Sequence, residues 1–200
     1  MPSRSQALIA AVILLLALVI GATALVFQGG GKGPISIGEA LIGGPFSLTD
    51  QNGRRVSEKD FLGKYMLVFF GYTYCPDICP TELQVMTEAL REMGPRADAI
   101  QPVFISFDPE RDTPETLKAY VENFSPRLIG LTGSEQEIAR AAKAYRVYYR
   151  KVEGGGATDY LMDHSSIIYL MGPNGKFVRH FSYSTDAKAL AEALASAIAS

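Results

Sequence analysis

The feature that most constrains the fold is a continuous apolar run, Tyr65–Gly71, which leads within four residues into the chain's only two cysteines, Cys75 and Cys79. An unbroken apolar segment of this length is typical of a strand covered on both faces. Residues 80–90 then repeat apolar side chains at helical spacing, and the repeat ends near Gly94. The pattern predicts a central strand, a turn that carries both cysteines, and a helix.

The rest of the chain alternates predicted strands with predicted helices. A short N-terminal hairpin is predicted where residues 46–49 and 54–57 flank an Asn-Gly turn. Further strands are predicted at 103–107, 128–131, 166–171 and 176–183, and further helices at 113–124, 134–145 and 186–199. Thr113 before Pro114 and Ser134 before Glu137 are helix-capping patterns. This order predicts an α/β fold with a mixed sheet in three layers.

The N-terminal region predicts a membrane anchor. Residues 7–27 carry no charge and are dominated by Ala, Val, Ile and Leu, which matches the roughly 20 residues needed to cross a bilayer. A cleaved signal peptide is the alternative, but its apolar region usually has only about 7 to 15 residues. Residues 28–34 read as a flexible, glycine-rich linker. The globular domain is therefore expected at 35–200.

Charge around the span predicts the compartment. Arg4 precedes the apolar segment and Lys32 follows it, a weak bias that places residues 1–6 in the cytoplasm. No Arg-rich, Ser-rich transit sequence precedes the span, so we expect a single-pass protein of a bacterial inner membrane with its C-terminal domain in the periplasm. That oxidising compartment permits a disulfide. The net charge of −2, without a basic block interleaved with aromatics, argues against a nucleic-acid partner.

The two cysteines can close a disulfide, share a soft metal ion, or alternate between these states. A strand-to-helix turn places both sulfurs near free N–H groups and the positive end of the helix dipole, which favours thiolates. Thiolates select Cu(I), Zn or iron–sulfur chemistry over Mg or Ca. An inert disulfide is the competing interpretation, although so short a loop between Cys75 and Cys79 would constrain the unfolded chain little.

A third metal ligand must come from elsewhere in the chain, which has two histidines. His164 lies where a loop is predicted to lead into the C-terminal strands, whereas His180 alternates with Val178 inside a predicted strand. His164 is therefore the predicted third ligand. A histidine that is exposed or only hydrogen-bonded remains the competing interpretation for His164, and a strand role is the interpretation for His180.

Three separated motifs together resemble the SCO/SenC family: residues 70–80 around the cysteines, residues 108–114, and residues 163–170 with the turn at 172–175. The resemblance covers essentially the whole predicted domain. It implies a thioredoxin-like fold and a copper chaperone that acts in assembly of the dinuclear copper centre of cytochrome c oxidase subunit II. It also implies that Cys75, Cys79 and His164 bind copper.

The resemblance carries further expectations about partners and neighbouring residues. It implies subunit II or a related copper acceptor, and an upstream copper donor or thiol reductant. Asp108 and Asp112 match acidic residues near the family's site; a role beside the ligands or in partner docking stands against ordinary helix capping and loop hydrogen bonding. Two thiolates favour Cu(I), while a histidine could accommodate Cu(II).

Copper delivery would make the protein a metallochaperone rather than an enzyme. The alternative is a periplasmic thiol–disulfide oxidoreductase, in which Cys75 attacks a disulfide of the acceptor and Cys79 resolves it. The three residues between the cysteines argue mildly against general redox catalysis, since the thioredoxin motif has two. Peroxide reduction is a third class, weakened because no Thr/Cys pair with a supporting Arg lies close in sequence.

Overall fold

The computed structural model describes residues 15–16, 42–153 and 160–199. The predicted linker at 28–34 lies outside these residues, as does the predicted anchor at 7–27 apart from two helical residues, Leu15 and Leu16. Within the described ranges, no helix combines the length and hydropathy that a bilayer span requires. The anchor therefore stays a prediction from the sequence.

Nine strands are present in the described part of the chain. They are β1 (Ser47–Asp50), β2 (Arg55–Ser57), β3 (Tyr65–Gly71), β4 (Ile100–Ser106), β5 (Ile129–Thr132), β6 (Tyr149–Glu153), β7 (Tyr160–His164), β8 (Ile167–Met171) and β9 (Phe177–Ser182). Seven of them form one sheet in the order β2-β1-β5-β4-β3-β8-β9, and β6 with β7 forms a separate two-stranded ribbon. Strands β3, β4 and β5 are parallel, and the other pairings are antiparallel. The predicted mixed sheet is confirmed.

Four α-helices connect or follow these strands: α1 (Ile78–Met93), α2 (Pro114–Val121), α3 (Glu135–Tyr145) and α4 (Ala187–Ile198). Two 3₁₀ turns, Glu58–Phe61 and Gly94–Ala99, complete the helical segments of the described ranges. The Thr113 side chain accepts the Thr116 N–H, and Ser134 and Glu137 form a reciprocal capping box. Both predicted caps are confirmed, because each depends on short-range hydrogen bonds that the sequence specifies.

Helices cover both faces of the sheet. Phe69 of β3 packs on Phe104 of β4, which in turn contacts Tyr120 of α2. The next residue, Phe70, points to the opposite face and packs on Tyr145 of α3. Successive strand residues alternate between faces, so these contacts place α2 and α3 on opposite sides of β3 and β4. The result is the predicted three-layer arrangement.

The β6–β7 ribbon was not predicted. β6 has the sequence YRKVE, whose charged side chains are exposed, so it lacks the apolar signal on which strand prediction depends. The prediction that His164 lies in a loop entering the C-terminal strands is wrong: His164 is the last residue of β7, paired with Tyr149 of β6. The ribbon therefore positions this histidine.

Candidate metal centre

The cysteine turn lies at the carboxyl end of β3. Cys75 is half-buried in the turn, and Cys79 is fully buried in the first turn of α1. Gly71, the last residue of β3, makes this close approach possible. A Cβ atom at that position would lie 2.8 Å from the Cys79 sulfur and 2.7 Å from the Phe104 ring.

The Cys75 sulfur takes the place of a helix-capping group. Asp77 occupies the N-cap position of α1, but its side chain makes no capping hydrogen bond. Instead, the backbone N–H of Cys79 donates to the Cys75 sulfur at 3.3 Å. A sulfur that accepts an N–H at a helix N-terminus is stabilised as the thiolate by that bond and by the helix dipole.

The pKa values of the two thiols are shifted in opposite directions. A hydrogen bond from the Cys79 side chain, with further help from backbone N–H groups, holds the pKa of the Cys75 thiol well below its usual range. The same interaction, together with burial, raises the pKa of Cys79. In the metal-free pair Cys75 is therefore the thiolate, and Cys79 holds the proton that a metal ion would displace.

His164 faces the sulfurs from the ribbon. Its ring centroid lies 4.9 Å from that of Phe107 and 6.1 Å from that of Tyr72, which fixes the ring between aromatic walls. Nδ1 lies 3.1 Å from the Ser165 carbonyl oxygen. Because a carbonyl only accepts, Nδ1 carries the hydrogen and Nε2 keeps its lone pair. Nε2 lies 3.6 Å from the Cys79 sulfur.

The ligand atoms of Cys75, Cys79 and His164 all lie within 4.8 Å of one another. Two sulfurs and one imidazole nitrogen form a soft donor set. The site opens into a cavity of about 510 Å³. Its lining residues include Tyr72, Cys75, Pro76, Ile78, Leu161 and His164. The structure thus brings together all three ligands predicted from the sequence, leaving one side open for a further ligand.

Comparison with known proteins identifies the family. The family model for SCO1/SenC matches residues 36–199. The chain belongs to the SCO1/SenC family. The human protein "SCO1 homolog, mitochondrial" is 48% identical over 147 residues, which cover 72% of this chain and 49% of the human protein. This chain spans about half the length of the first curated relatives it matches.

Solved structures of the family have the same fold. Bradyrhizobium japonicum ScoI with copper bound is 50% identical, with a TM-score of 0.71, and the match covers 78% of this chain and 98% of that one. BsSco, described as having a disulfide switch and as a member of the Sco family of cytochrome c oxidase assembly proteins, is 28% identical with a TM-score of 0.65, covering 80% and 94%. The similarity agrees with the thioredoxin-like fold expected from the sequence.

Two acidic residues noted in the sequence form hydrogen bonds and an ion pair within the loops next to the candidate metal centre. Asp112 is fully buried and accepts hydrogen bonds from Thr73 N–H at 2.9 Å, Thr73 Oγ1 at 2.6 Å and Ser106 Oγ at 2.5 Å. Burial raises the pKa of Asp112, while these hydrogen bonds oppose the rise. Asp108 is also buried, and it pairs with Arg111 at 2.5 Å. Both carboxylates hold loops in place.

His180 lies away from the three ligands, exposed on β9 with its ring stacked on Phe177. Sequence reasoning missed Thr73, Arg111 and Tyr160, which connect the surrounding loops. The signal for Arg111 was present, since it lies between the two acidic residues already noted in the 108–114 motif. Tyr160 had no such signal, because the ribbon that carries it was not predicted.

Proposed function

We propose that this protein is a copper metallochaperone that binds copper through Cys75, Cys79 and His164 and delivers it to the dinuclear copper site of cytochrome c oxidase subunit II. The observation that carries the proposal is the convergence of the three ligand atoms within 4.8 Å. Two thiolates and a neutral imidazole suit Cu(I), and the imidazole also accommodates Cu(II). The copper-bound ScoI relative supports the choice of metal.

The different burial of the three proposed ligands is suited to the transfer of copper to an acceptor protein. Cys79 is fully buried, whereas Cys75 and His164 are partly exposed beside the open cavity. An acceptor's ligands can therefore approach the copper from the cavity while the buried sulfur still holds it. We further propose that the domain acts in a bacterial periplasm, tethered by residues 7–27, and receives copper or reducing equivalents from an upstream partner.

The test is Cu(I) titration of the full-length chain against a competing chelator. His164→Ala removes one proposed ligand and is expected to weaken Cu(I) binding by at least about 10-fold, the lower end of the effect seen for residues that only support ligands. His180→Ala is the matched control and should bind like the wild type, because His180 is exposed on β9. Equal affinities for the His164→Ala variant and the wild type would refute the three-ligand site.

Delivery needs a second measurement. The copper-loaded chain is mixed with the copper-free, reduced soluble domain of subunit II, and the appearance of the acceptor's visible copper absorption is followed. The wild type should transfer copper, and Cys75→Ser should not. Tight copper binding without any transfer would contradict the delivery role but leave the binding site intact.

A thiol–disulfide oxidoreductase is the second candidate, because the low pKa of the half-buried Cys75 and the buried, protonated Cys79 suit an attacking and a resolving thiol. The Cys75 thiolate would attack an acceptor disulfide, and Cys79 would then displace the acceptor's thiol. The acceptor gains two electrons and two protons, one proton from Cys79 and one from solvent, while the cysteine pair becomes a disulfide. His164→Ala should retain this activity, and Cys75→Ser should abolish it. Reduction of an oxidised subunit II fragment, followed by thiol counting, distinguishes the two functions.

A further inference from the structure

The loop that follows β4 contacts both arms of the candidate metal centre. On one side, the Asp112 carboxylate accepts two hydrogen bonds from Thr73, two residues before Cys75. On the other side, Asp108 accepts a hydrogen bond from the Tyr160 hydroxyl at 2.6 Å. Tyr160 begins β7, and His164 ends it. A single five-residue loop, 108–112, therefore bridges the cysteine turn and the histidine ribbon.

Arg111 lies at the centre of this bridge, with its side chain 17% exposed. The guanidinium carbon lies 3.6 Å from the ring centroid of Tyr160 and 4.7 Å from that of Tyr74. Tyr74 immediately precedes Cys75. Cations over tyrosine rings at such distances contribute about 0.5 to 2 kcal/mol, the larger values applying where water is excluded. One side chain thus contacts a residue from each arm.

Hydrogen bonds fix the orientation of this guanidinium. Nε donates to the Asp108 carboxylate at 2.5 Å, and Nη1 donates to the Tyr160 carbonyl oxygen at 3.1 Å. A planar guanidinium can stack on rings and donate in two directions simultaneously, whereas a lysine ammonium is a point charge without a plane. The contact to Tyr160 involves its backbone, so it restrains the path of β7 and not only the tyrosine side chain.

A second contact secures the same end of the ribbon. Lys151 of β6 pairs with Glu110 at 2.6 Å, and its ammonium lies 4.6 Å from the Tyr160 ring centroid. Both partners are about half exposed, so this pair contributes little by itself. The Arg111 contacts, made by a side chain that is only 17% exposed, therefore carry most of the restraint.

We propose that Arg111 is a positioning residue, which holds His164 at ligand distance from the cysteines by fixing the start of β7 against the cysteine turn. The proposal rests on the proposed copper site. Residues that orient metal ligands typically change metal affinity by about 10-fold to 100-fold when they are removed. Within the described ranges, Arg111 makes no hydrogen bond, ion pair or cation–π contact with the two cysteines or with His164, so its effect must pass through the position of His164 or of the turn.

A double-mutant cycle on full-length protein tests this route. Arg111→Ala should weaken Cu(I) binding by about 10-fold or more in the wild-type background. In the His164→Ala background it should change affinity by less than about 2-fold, because the ligand it positions is already absent. Arg150→Ala is the matched control: it removes a guanidinium from the same ribbon, where Arg150 is exposed and pairs with Asp163 at 3.6 Å. The Cu(I) affinity of the Arg150→Ala variant should equal that of the wild type.

Arg111→Lys keeps the charge but loses the stacking and the two-way donation, so it should weaken binding like Arg111→Ala. It also replaces the alanine variant if that variant does not fold. The proposal is overturned if both Arg111 variants bind copper like the wild type, if the loss is equally large in both backgrounds, or if Arg150→Ala shows the same loss.

A metal-free measurement separates this proposal from the copper proposal. In reduced, copper-free wild type, proton NMR should show contacts between the His164 imidazole and the Phe107 ring, whose centroids lie 4.9 Å apart. These contacts should weaken in Arg111→Lys and persist in Arg150→Ala. If the wild type binds no Cu(I), the function proposed above fails, and the NMR result still decides the positioning. Unchanged contacts in Arg111→Lys would overturn it.

Discussion

Glu82 provides a direct test of how the burial of an ionisable side chain affects the free energy of unfolding of this domain at different pH values. It lies on the buried face of α1, one helical turn after Cys79, and is 1% exposed. Its Oε2 atom makes no hydrogen bond with any described residue. Burial without a partner raises the pKa of Glu82 from 4.5 to about 7, because a carboxylate loses its hydration there while the neutral acid loses less.

The sign and size of the effect follow from these two pKa values. Between pH 4.5 and about 7 the folded chain holds a proton at Glu82 that the unfolded chain releases. This group's contribution to the free energy of unfolding is therefore full below pH 4.5, falls as the pH rises, and is lost above about 7. At about 1.36 kcal/mol per pKa unit, the loss amounts to up to about 3 kcal/mol.

Glu82→Gln removes the charge at nearly constant volume. Urea unfolding of wild type and variant is measured from about pH 5 to pH 8, and the difference between their free energies of unfolding is plotted, so that shared titrating groups such as Cys75 cancel. We expect the variant to gain up to about 3 kcal/mol relative to the wild type across this range. Glu92→Gln, an exposed site on the same helix, should give a flat difference. A flat difference for Glu82→Gln as well would refute the reasoning.

Two further predictions concern the cysteine turn. Because the Cys79 side chain lowers the pKa of Cys75, alkylation of Cys75 by iodoacetamide should vary little between about pH 6 and 8 in the wild type but rise with pH in Cys79→Ala; a steep rise in the wild type would contradict the thiolate assignment. Gly71→Ala would place a methyl group 2.8 Å from the Cys79 sulfur and should destabilise the fold by about 1 to 3 kcal/mol and weaken Cu(I) binding. An unchanged thermal unfolding temperature and an unchanged copper affinity would contradict the inference that Gly71 is too tightly packed against Cys79 to accept a methyl group.

Local signals explain which parts of the fold were predictable. β3 was predicted with its observed bounds because a strand buried on both faces leaves an unbroken apolar run. The start of α2 was predicted because Thr113 precedes a proline at the first helical position, and that of α3 because Ser134 and Glu137 lie three positions apart, as in a capping box. The cysteine turn followed from the position of the motif between a strand and a helix. Each of these features is specified within a few neighbouring residues.

The histidine side of the centre depends on contacts that local patterns do not encode. His164 is 85 residues from Cys79, and the ribbon that carries it has a charged, exposed first strand. Its stability comes from distant partners: Phe107, which stacks on Tyr149, and Arg111, which contacts Tyr160. The sequence therefore indicated the ligand through the scarcity of histidines and the family resemblance, while its strand and its supports became visible only in the structure.

The cysteines and His164 are held by different parts of the structure, and this difference has a physical consequence for the proposed copper site. The cysteines are held by the strand-to-helix turn of the core, where Cys79 packs directly against the end of β3. His164 is held by a two-stranded ribbon, which is marginally stable without supporting contacts. Loss of those contacts should therefore release the imidazole before it disturbs the sulfurs. Displacement of the ribbon would thus leave the two sulfurs as the remaining ligands of the proposed copper site, because they are held by the core and not by the ribbon.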